Sequence, residues 1–145
     1  MAEEKFTDSE KEEIIQAIKS AELNTSGEIR VHIENHCKED VLDRAAEIFN
    51  VLKLHKTTLR NGVLFYMAIK DHKFAILGDR GINEKVSENF WDNIKEHMAG
   101  KFKAGMVTEG LVEGIKMAGR QLKQHFPIAD DDKNELSDDI SFGKN

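Results

Sequence analysis

The sequence predicts an α/β protein, a three-layer αβα sandwich built on a small mixed β-sheet, and three observations carry that expectation. Ile29, Val31 and Ile33 alternate with Glu28, Arg30, His32 and Glu34, the period-two pattern of a half-buried strand. Two apolar runs, Val63 to Ile69 and Phe74 to Leu77, flank the turn pair Asp71-His72 and read as a β-hairpin. Around them, apolar residues recur every three to four positions, which puts amphipathic helices on both faces of the sheet.

Thr7-Asp-Ser-Glu10 is a capping box ahead of Ile14, Ile15 and Ile18, so a first helix is expected over residues 8 to 22. Asn24-Thr-Ser-Gly27 turns the chain into the first strand, 28 to 34. Asp40 precedes an apolar stripe of Val41, Leu42, Ala45, Ile48, Phe49 and Leu52, and this second helix links the first strand to the hairpin as a βαβ unit. A right-handed crossover lays the first strand parallel to the one beginning at Gly62 and brings Gly27 and Glu28 to the same sheet edge as Asn61 and Asp79. Asn83 is expected to cap a third helix carrying Val86, Phe90, Trp91, Ile94 and Met98 and ended by Gly100. A fourth, about 106 to 125, stops before Pro127. Gly105, Gly110, Gly114 and Gly119 recur along it; at a cost of about 1 kcal/mol each against alanine, they mark either close backbone packing or a helix that tolerates small residues.

At 145 residues, 39% hydrophobic and 33% charged, the chain is sized for one soluble domain with its own core. The expected division is a folded domain over 1–127 and an acidic tail over 128–145, either disordered or a cap on a site. Met1-Ala-Glu-Glu-Lys5 opens into a polar helix, and neither a signal-peptide core nor a stretch of about 20 apolar residues appears, so no membrane span and a cytoplasmic location are expected. The lone Cys37 excludes an internal disulfide. A net charge of −6, with cationic and acidic residues interleaved, argues against nucleic acid as a partner and favours cations.

Several motifs fail on spacing. Six residues separate Cys37 from Arg44, one more than the cysteine-phosphatase loop allows, and the intervening acids would repel phosphate, so Cys37 reads as an inert thiol. Asp130-Asp-Asp-Lys-Asn134 starts like an EF-hand loop but carries Glu135 at its sixth position and Ser141 at its twelfth. The six histidines show no zinc spacing, and no Walker loop, nucleophile elbow or dinucleotide fingerprint is present. Catalytic residues therefore remain unassigned.

What stands out instead is a bunching of polar groups. Arg60 and Asn61 open the first hairpin strand; Asp79, Arg80 and Asn83 follow the second, among Gly62, Gly78 and Gly81. Antiparallel pairing places both groups at one edge, and glycine-rich loops with exposed amides and carbonyls suit an ion or an anion.

Ser26-Gly-Glu-Ile-Arg-Val31, Asn61-Gly-Val-Leu64, Asp71-His-Lys-Phe74, Gly78-Asp-Arg-Gly-Ile82, Phe102-x-x-Gly105 and Gly110-Leu111 resemble, in order and spacing, the successive blocks of a TPM domain, over roughly residues 7 to 126. This is the domain of thylakoid lumen, photosystem repair and acetylcholine-receptor-associated proteins. The resemblance implies an αβα sandwich, divalent-metal sites near crossing loops at one sheet edge, and a debated acid phosphatase activity in plant members. Carried over by position, it makes Asp79 the first charged ligand, with Glu88, Asn61 and Asn83 next and Glu28 or the tail acids as additions. Arg60 departs from the family, whose members commonly carry Asp there, and Asn83 stands where they commonly carry Glu. Ca²⁺ or Mg²⁺, which take oxygen ligands, are the expected ions; the competing reading pairs Asp79 with Arg60 or Arg80. Two functions follow: a stand-alone metal-responsive module that shapes a surface for a protein partner, or a metal-assisted phosphomonoesterase in which Arg60 or Arg80 holds phosphate.

Overall fold

The computed structural model describes residues 2–87, 89–128 and 140–143. After a short 3-10 turn, Ala2–Lys5, the elements run α1 (Asp8–Glu22), β1 (Glu28–Glu34), α2 (Val41–Val51), a second 3-10 turn (Leu54–Lys56), β2 (Gly62–Ala68), β3 (Lys73–Gly78), α3 (Arg80–Asn83), α4 (Phe90–Lys103), α5 (Val107–His125) and β4 (Ser141–Phe142). The sheet order is β3-β2-β1-β4. β1 runs parallel to β2 and to β4, and β2 pairs antiparallel with β3. The expected βαβ unit and hairpin are both present, in one mixed sheet.

Each early helix starts where its cap dictates. The Thr7 hydroxyl accepts from Glu10 N at 3.0 Å, and the Glu10 carboxylate accepts from Thr7 N at 2.9 Å, so two orphan amides of the first turn are satisfied reciprocally. Asp40 accepts from Leu42 N and Asp43 N and opens α2. Ile29, Val31, Ile33, Val63, Phe65, Met67 and Ile76 form the larger core with α1, α4 and α5; Leu64, Tyr66 and Ala75 pack on α2 from the opposite face. Full burial of a side chain the size of Ile or Phe stabilises by roughly 1.5–3 kcal/mol, and most such side chains lie on the three-helix side.

Four expectations are corrected. β1 is buried on both faces: Glu28, His32 and Glu34 are as inaccessible as the isoleucines between them. The reason is position, because an interior strand flanked by β2 and β4 under two helix layers has no solvent face. Asn83 does not cap the third long helix. Asp79 caps the four-residue α3, residues 84–87 are irregular, and α4 starts at Phe90. Gly100 does not end α4 either; the helix runs to Lys103. Its stop is Gly105 at φ +79°, with Met106 N donating to Lys101 O at 2.9 Å and Gly105 N to Phe102 O at 3.0 Å. That is the paired-bond C-terminal motif, and it needs the left-handed residue that glycine supplies. Finally, part of the acidic tail joins the sheet, since Ser141 and Phe142 pair with His32 and Ile33 of β1. The tail acids Asp130, Asp131, Asp132, Glu135, Asp138 and Asp139 lie outside the described residues.

The α5 glycines are packing positions. A Cβ on Gly110 would sit 2.7 Å from the Phe102 ring, one on Gly114 2.5 Å from Met98 Sδ, and one on Gly119 2.8 Å from Ala21 Cβ. Their close approach is to the neighbouring helices α4 and α1, not to the sheet.

Candidate functional site

The polar edge forms as the topology requires. Glu28 is in register with Gly62, Glu28 N donates to Asn61 O at 3.3 Å, and Asp79 N donates to Gly62 O at 2.9 Å. The loop before β2, the start of β1 and the end of β3 are thereby stitched together around one glycine. A second stitch joins Gly81 N to Arg60 O at 2.9 Å. Gly81 is obligatory there, because a Cβ would lie 2.2 Å from Leu59 O and 2.6 Å from Arg60 O, both rigid backbone atoms.

Asp79 is almost wholly buried. Its carboxylate accepts from Arg60 Nε at 2.7 Å and Arg60 Nη2 at 2.9 Å, and its Oδ1 also accepts from Arg80 N at 2.8 Å. Two parallel N–H···O bonds of this kind combine charge with a fixed geometry. Arg60 reaches this position from a left-handed backbone, φ +52°, a conformation that side chains other than glycine seldom take unless neighbours hold it. Asn83 lies at the same edge with both ends of its amide committed: Nδ2 donates to Gly78 O at 2.9 Å and Oδ1 accepts from Trp91 Nε1 at 2.8 Å. It works as a clip between β3 and α4. Glu88 lies outside the described residues.

Asn61 differs from its neighbours. Only 1% of its surface is exposed, Nδ2 donates to Ser26 Oγ at 3.3 Å, and Oδ1 has no hydrogen-bond partner among the described residues. A buried amide oxygen left without a donor costs about 1–3 kcal/mol, which makes it the feature of this edge most in need of a partner. Glu28, whose amide donates to Asn61 O, is also buried, 2% exposed. An open cleft of about 230 Å³ reaches the edge from the α2 side, lined by Arg60, Asp79 and His55 among others. The Nδ1 of His55 also has no partner among the described residues. His55 escaped the sequence reading because a single histidine in a loop, without metal spacing, carries no signal.

A second polar cluster, unforeseen in the sequence, lies at the other end of β1. The buried Glu34 carboxylate accepts from Arg44 Nε and Nη2, each at 2.9 Å, and from the Tyr66 hydroxyl, and its Oε1 lies 3.2 Å from His32 Nε2. His32 Nδ1 lies 2.8 Å from Ser141 Oγ on β4. Burial alone would raise the Glu34 pKa, but the hydrogen bonds from Arg44, Tyr66 and His32 outweigh it and hold the group at about 2. Burial and the Glu34 hydrogen bond push the Tyr66 phenol far above its usual range. Burial also lowers His32, partly opposed by Glu34. Cys37 is buried nearby, its Sγ 3.3 Å from Glu39 O and its amide donating to Asp71.

Among the described residues, no group of three or more His, Cys, Asp or Glu side chains is close enough to hold a metal ion, and no helix is long and apolar enough to cross a membrane.

The model of the TPM domain matches residues 2–121. The chain belongs to the TPM-domain family. A solved structure, the NMR structure of the BA42 protein from the psychrophilic bacterium Bizionia argentinensis, is similar at 48% identity with a TM-score of 0.89, covering 95% of this chain and 95% of that one. No match was found among curated proteins. The motif blocks of the TPM domain fall on chain turns: Ser26–Gly27 before β1, Asn61–Gly62 into β2, Asp71–His72 in the hairpin, Gly78–Ile82 from β3 into α3, and Phe102–Gly105 between α4 and α5.

Proposed function

We propose that this TPM domain is a divalent-cation-responsive interaction module whose ion, Ca²⁺ or Mg²⁺, is taken at the Asn61–Asp79 edge. The observation that carries the reading is the buried Oδ1 of Asn61, which has no partner among the described residues, at the sheet edge where the backbones of Glu28 and Asp79 bond to Asn61 and Gly62. Amide and carboxylate oxygens are the donors that hard cations prefer. Asn61 Oδ1 is the ligand that need break nothing. Asp79 must first exchange at least one bond to Arg60, so Arg60 acts as an internal competitor for the site and sets a threshold on cation affinity. Asn83 and Arg80 hold α3 against β3 during that exchange. Glu88 is retained as a ligand by its family position alone.

Loss of the Arg60–Asp79 pair would leave the Arg60 carbonyl tied to Gly81 while its guanidinium turns to solvent, changing the charge and shape of this face for a protein partner. The phosphomonoesterase reading has less support, because one of the two guanidinium groups assigned to phosphate, that of Arg60, is occupied by Asp79. Titrating Ca²⁺ and Mg²⁺ into metal-stripped protein while recording amide NMR shifts tests the proposal. Saturable shifts concentrated at residues 60–62 and 78–88 are expected; shifts absent up to millimolar metal, or scattered over surface carboxylates, would refute it.

A further inference from the structure

The outer edge of β1 is filled by the chain's own C-terminal segment, and the contacts are specific at three successive residues. Ser141 and Phe142 pair in parallel with His32 and Ile33, and Gly143 N donates to Ile33 O at 2.8 Å. Alternate residues of an extended segment face opposite sides of the sheet. On the α2 side lie Ser141, whose Oγ is 2.8 Å from His32 Nδ1, and Gly143, where a Cβ would sit 2.6 Å from Glu34 Oε1 and 2.8 Å from Glu34 Cβ. On the other side Phe142 meets Phe6 with ring centroids 6.4 Å apart and packs on the larger core.

The polar contact has a direction. Burial keeps His32 neutral at pH 7, and the ionised Glu34 fixes the ring proton on Nε2, which donates to Glu34 Oε1 at 3.2 Å. Nδ1 is therefore an acceptor and calls for a hydroxyl donor, Ser or Thr, opposite it. Glu34 in turn is held by Arg44 and Tyr66, so the carboxylate facing Gly143 does not move aside for a side chain. A hydroxyl, an aromatic ring and a glycine in succession are what this edge selects.

The segment is an addition to the domain. Residues 140–143 lie beyond the residues 2–121 that match the TPM domain, β4 is two residues long, and all of 140–143 are half-buried. So short a strand makes few bonds, and its tether supplies a local concentration of about millimolar. We propose that the β1 edge is a peptide-binding site for an extended hydroxyl–aromatic–glycine segment, and that residues 141–143 are its tethered resident ligand, exchangeable for the same pattern carried by another chain. Main-chain pairing supplies the affinity, and the three side-chain positions supply the specificity. The site takes no residue from the Asn61–Asp79 edge.

The test uses full-length chains from which the resident segment is displaced. Phe142→Asp and Gly143→Val should each shift the amide NMR signals of His32 and Ile33 and the ring signals of Phe6, with β2 and β3 unchanged. An acetylated peptide of residues 139–145 should then return those signals saturably to their parent positions, while the parent chain responds only above about millimolar peptide. The peptide carrying Ser141→Ala should bind at least about fivefold more weakly, and the one carrying Gly143→Val should not bind. No restoration by the parent peptide, or equal binding of all three peptides, would overturn the site. His32 and Ile33 signals unmoved in both variants would overturn the reading of ring and glycine. Unfolding of both variants would make β4 an integral part of the core and overturn its role as a ligand.

Discussion

The two ends of the sheet each hold a buried carboxylate gripped through two bonds by an arginine, and they differ in what is left over. At the carboxyl end of β1, Glu34 receives Arg44, Tyr66 and His32, and the chain of contacts continues to Ser141. Every charge there has an internal partner. At the amino end of β1 and β2, Arg60 and Arg80 N satisfy Asp79, but Asn61 Oδ1 remains without a donor beside buried Glu28. Similar residue types thus make a closed structural network at one end and an open acceptor site at the other. A closed network rigidifies, whereas a partly satisfied one has a reason to bind something.

That contrast can be broken most severely at the closed end. Arg44→Met leaves the Glu34 charge buried without its main partner and should cost about 3 kcal/mol in urea unfolding; a loss under about 1 kcal/mol would mean the network is not closed as described. Gly81→Ala forces a Cβ into the carbonyls of Leu59 and Arg60 and should cost about 2 kcal/mol, with amide shifts confined to the Arg60–Asp79 edge. The pH dependence is smaller and has a definite sign. His32 and Glu34 both have folded pKa values below their ordinary ones, 6.5 and 4.5, so their contributions are fully present above those values and are lost as pH falls. Stability should therefore decline first below about pH 6.5 and again between 4.5 and about 2, and Glu34→Gln should reduce the second decline, to which the lowered carboxyls of Glu10, Asp71 and Glu113 also contribute. The most informative change for binding is Arg60→Gln, which frees the nearly buried Asp79 at a cost in stability and should tighten Ca²⁺ severalfold by calorimetric titration.

Sequence pattern made the backbone largely legible, for reasons local to each element. Thr7-to-Glu10 and Asp40 fixed helix starts because capping is a contact within one turn, and the hairpin followed from two apolar runs around Asp71-His72. The α3–α4 region was misread because Asn83 resembles a cap in sequence while its amide is committed to Gly78 and Trp91, partners supplied by the fold. Gly100 resembled a stop, yet the stop needs a left-handed backbone, and only Gly105 has it. At the candidate site, the sequence located the edge and its Arg60–Asp79 alternative. It could not show that Asn61 keeps a spare oxygen, nor that His55 joins the cleft. The Glu34 network was invisible because His32 and Glu34 occupy the polar phase of an alternating strand, and only the presence of β4 and α2 makes that phase an interior.

The most direct test of the central claim is a Ca²⁺ titration of the parent chain beside Asn61→Ala, with Glu34→Gln as the control at the closed end. The account predicts that Asn61→Ala weakens Ca²⁺ at least tenfold while Glu34→Gln leaves the affinity unchanged. Equal affinity in the parent and Asn61→Ala would contradict it, and would leave the Asn61–Asp79 edge a structural joint between β2, β3 and α3.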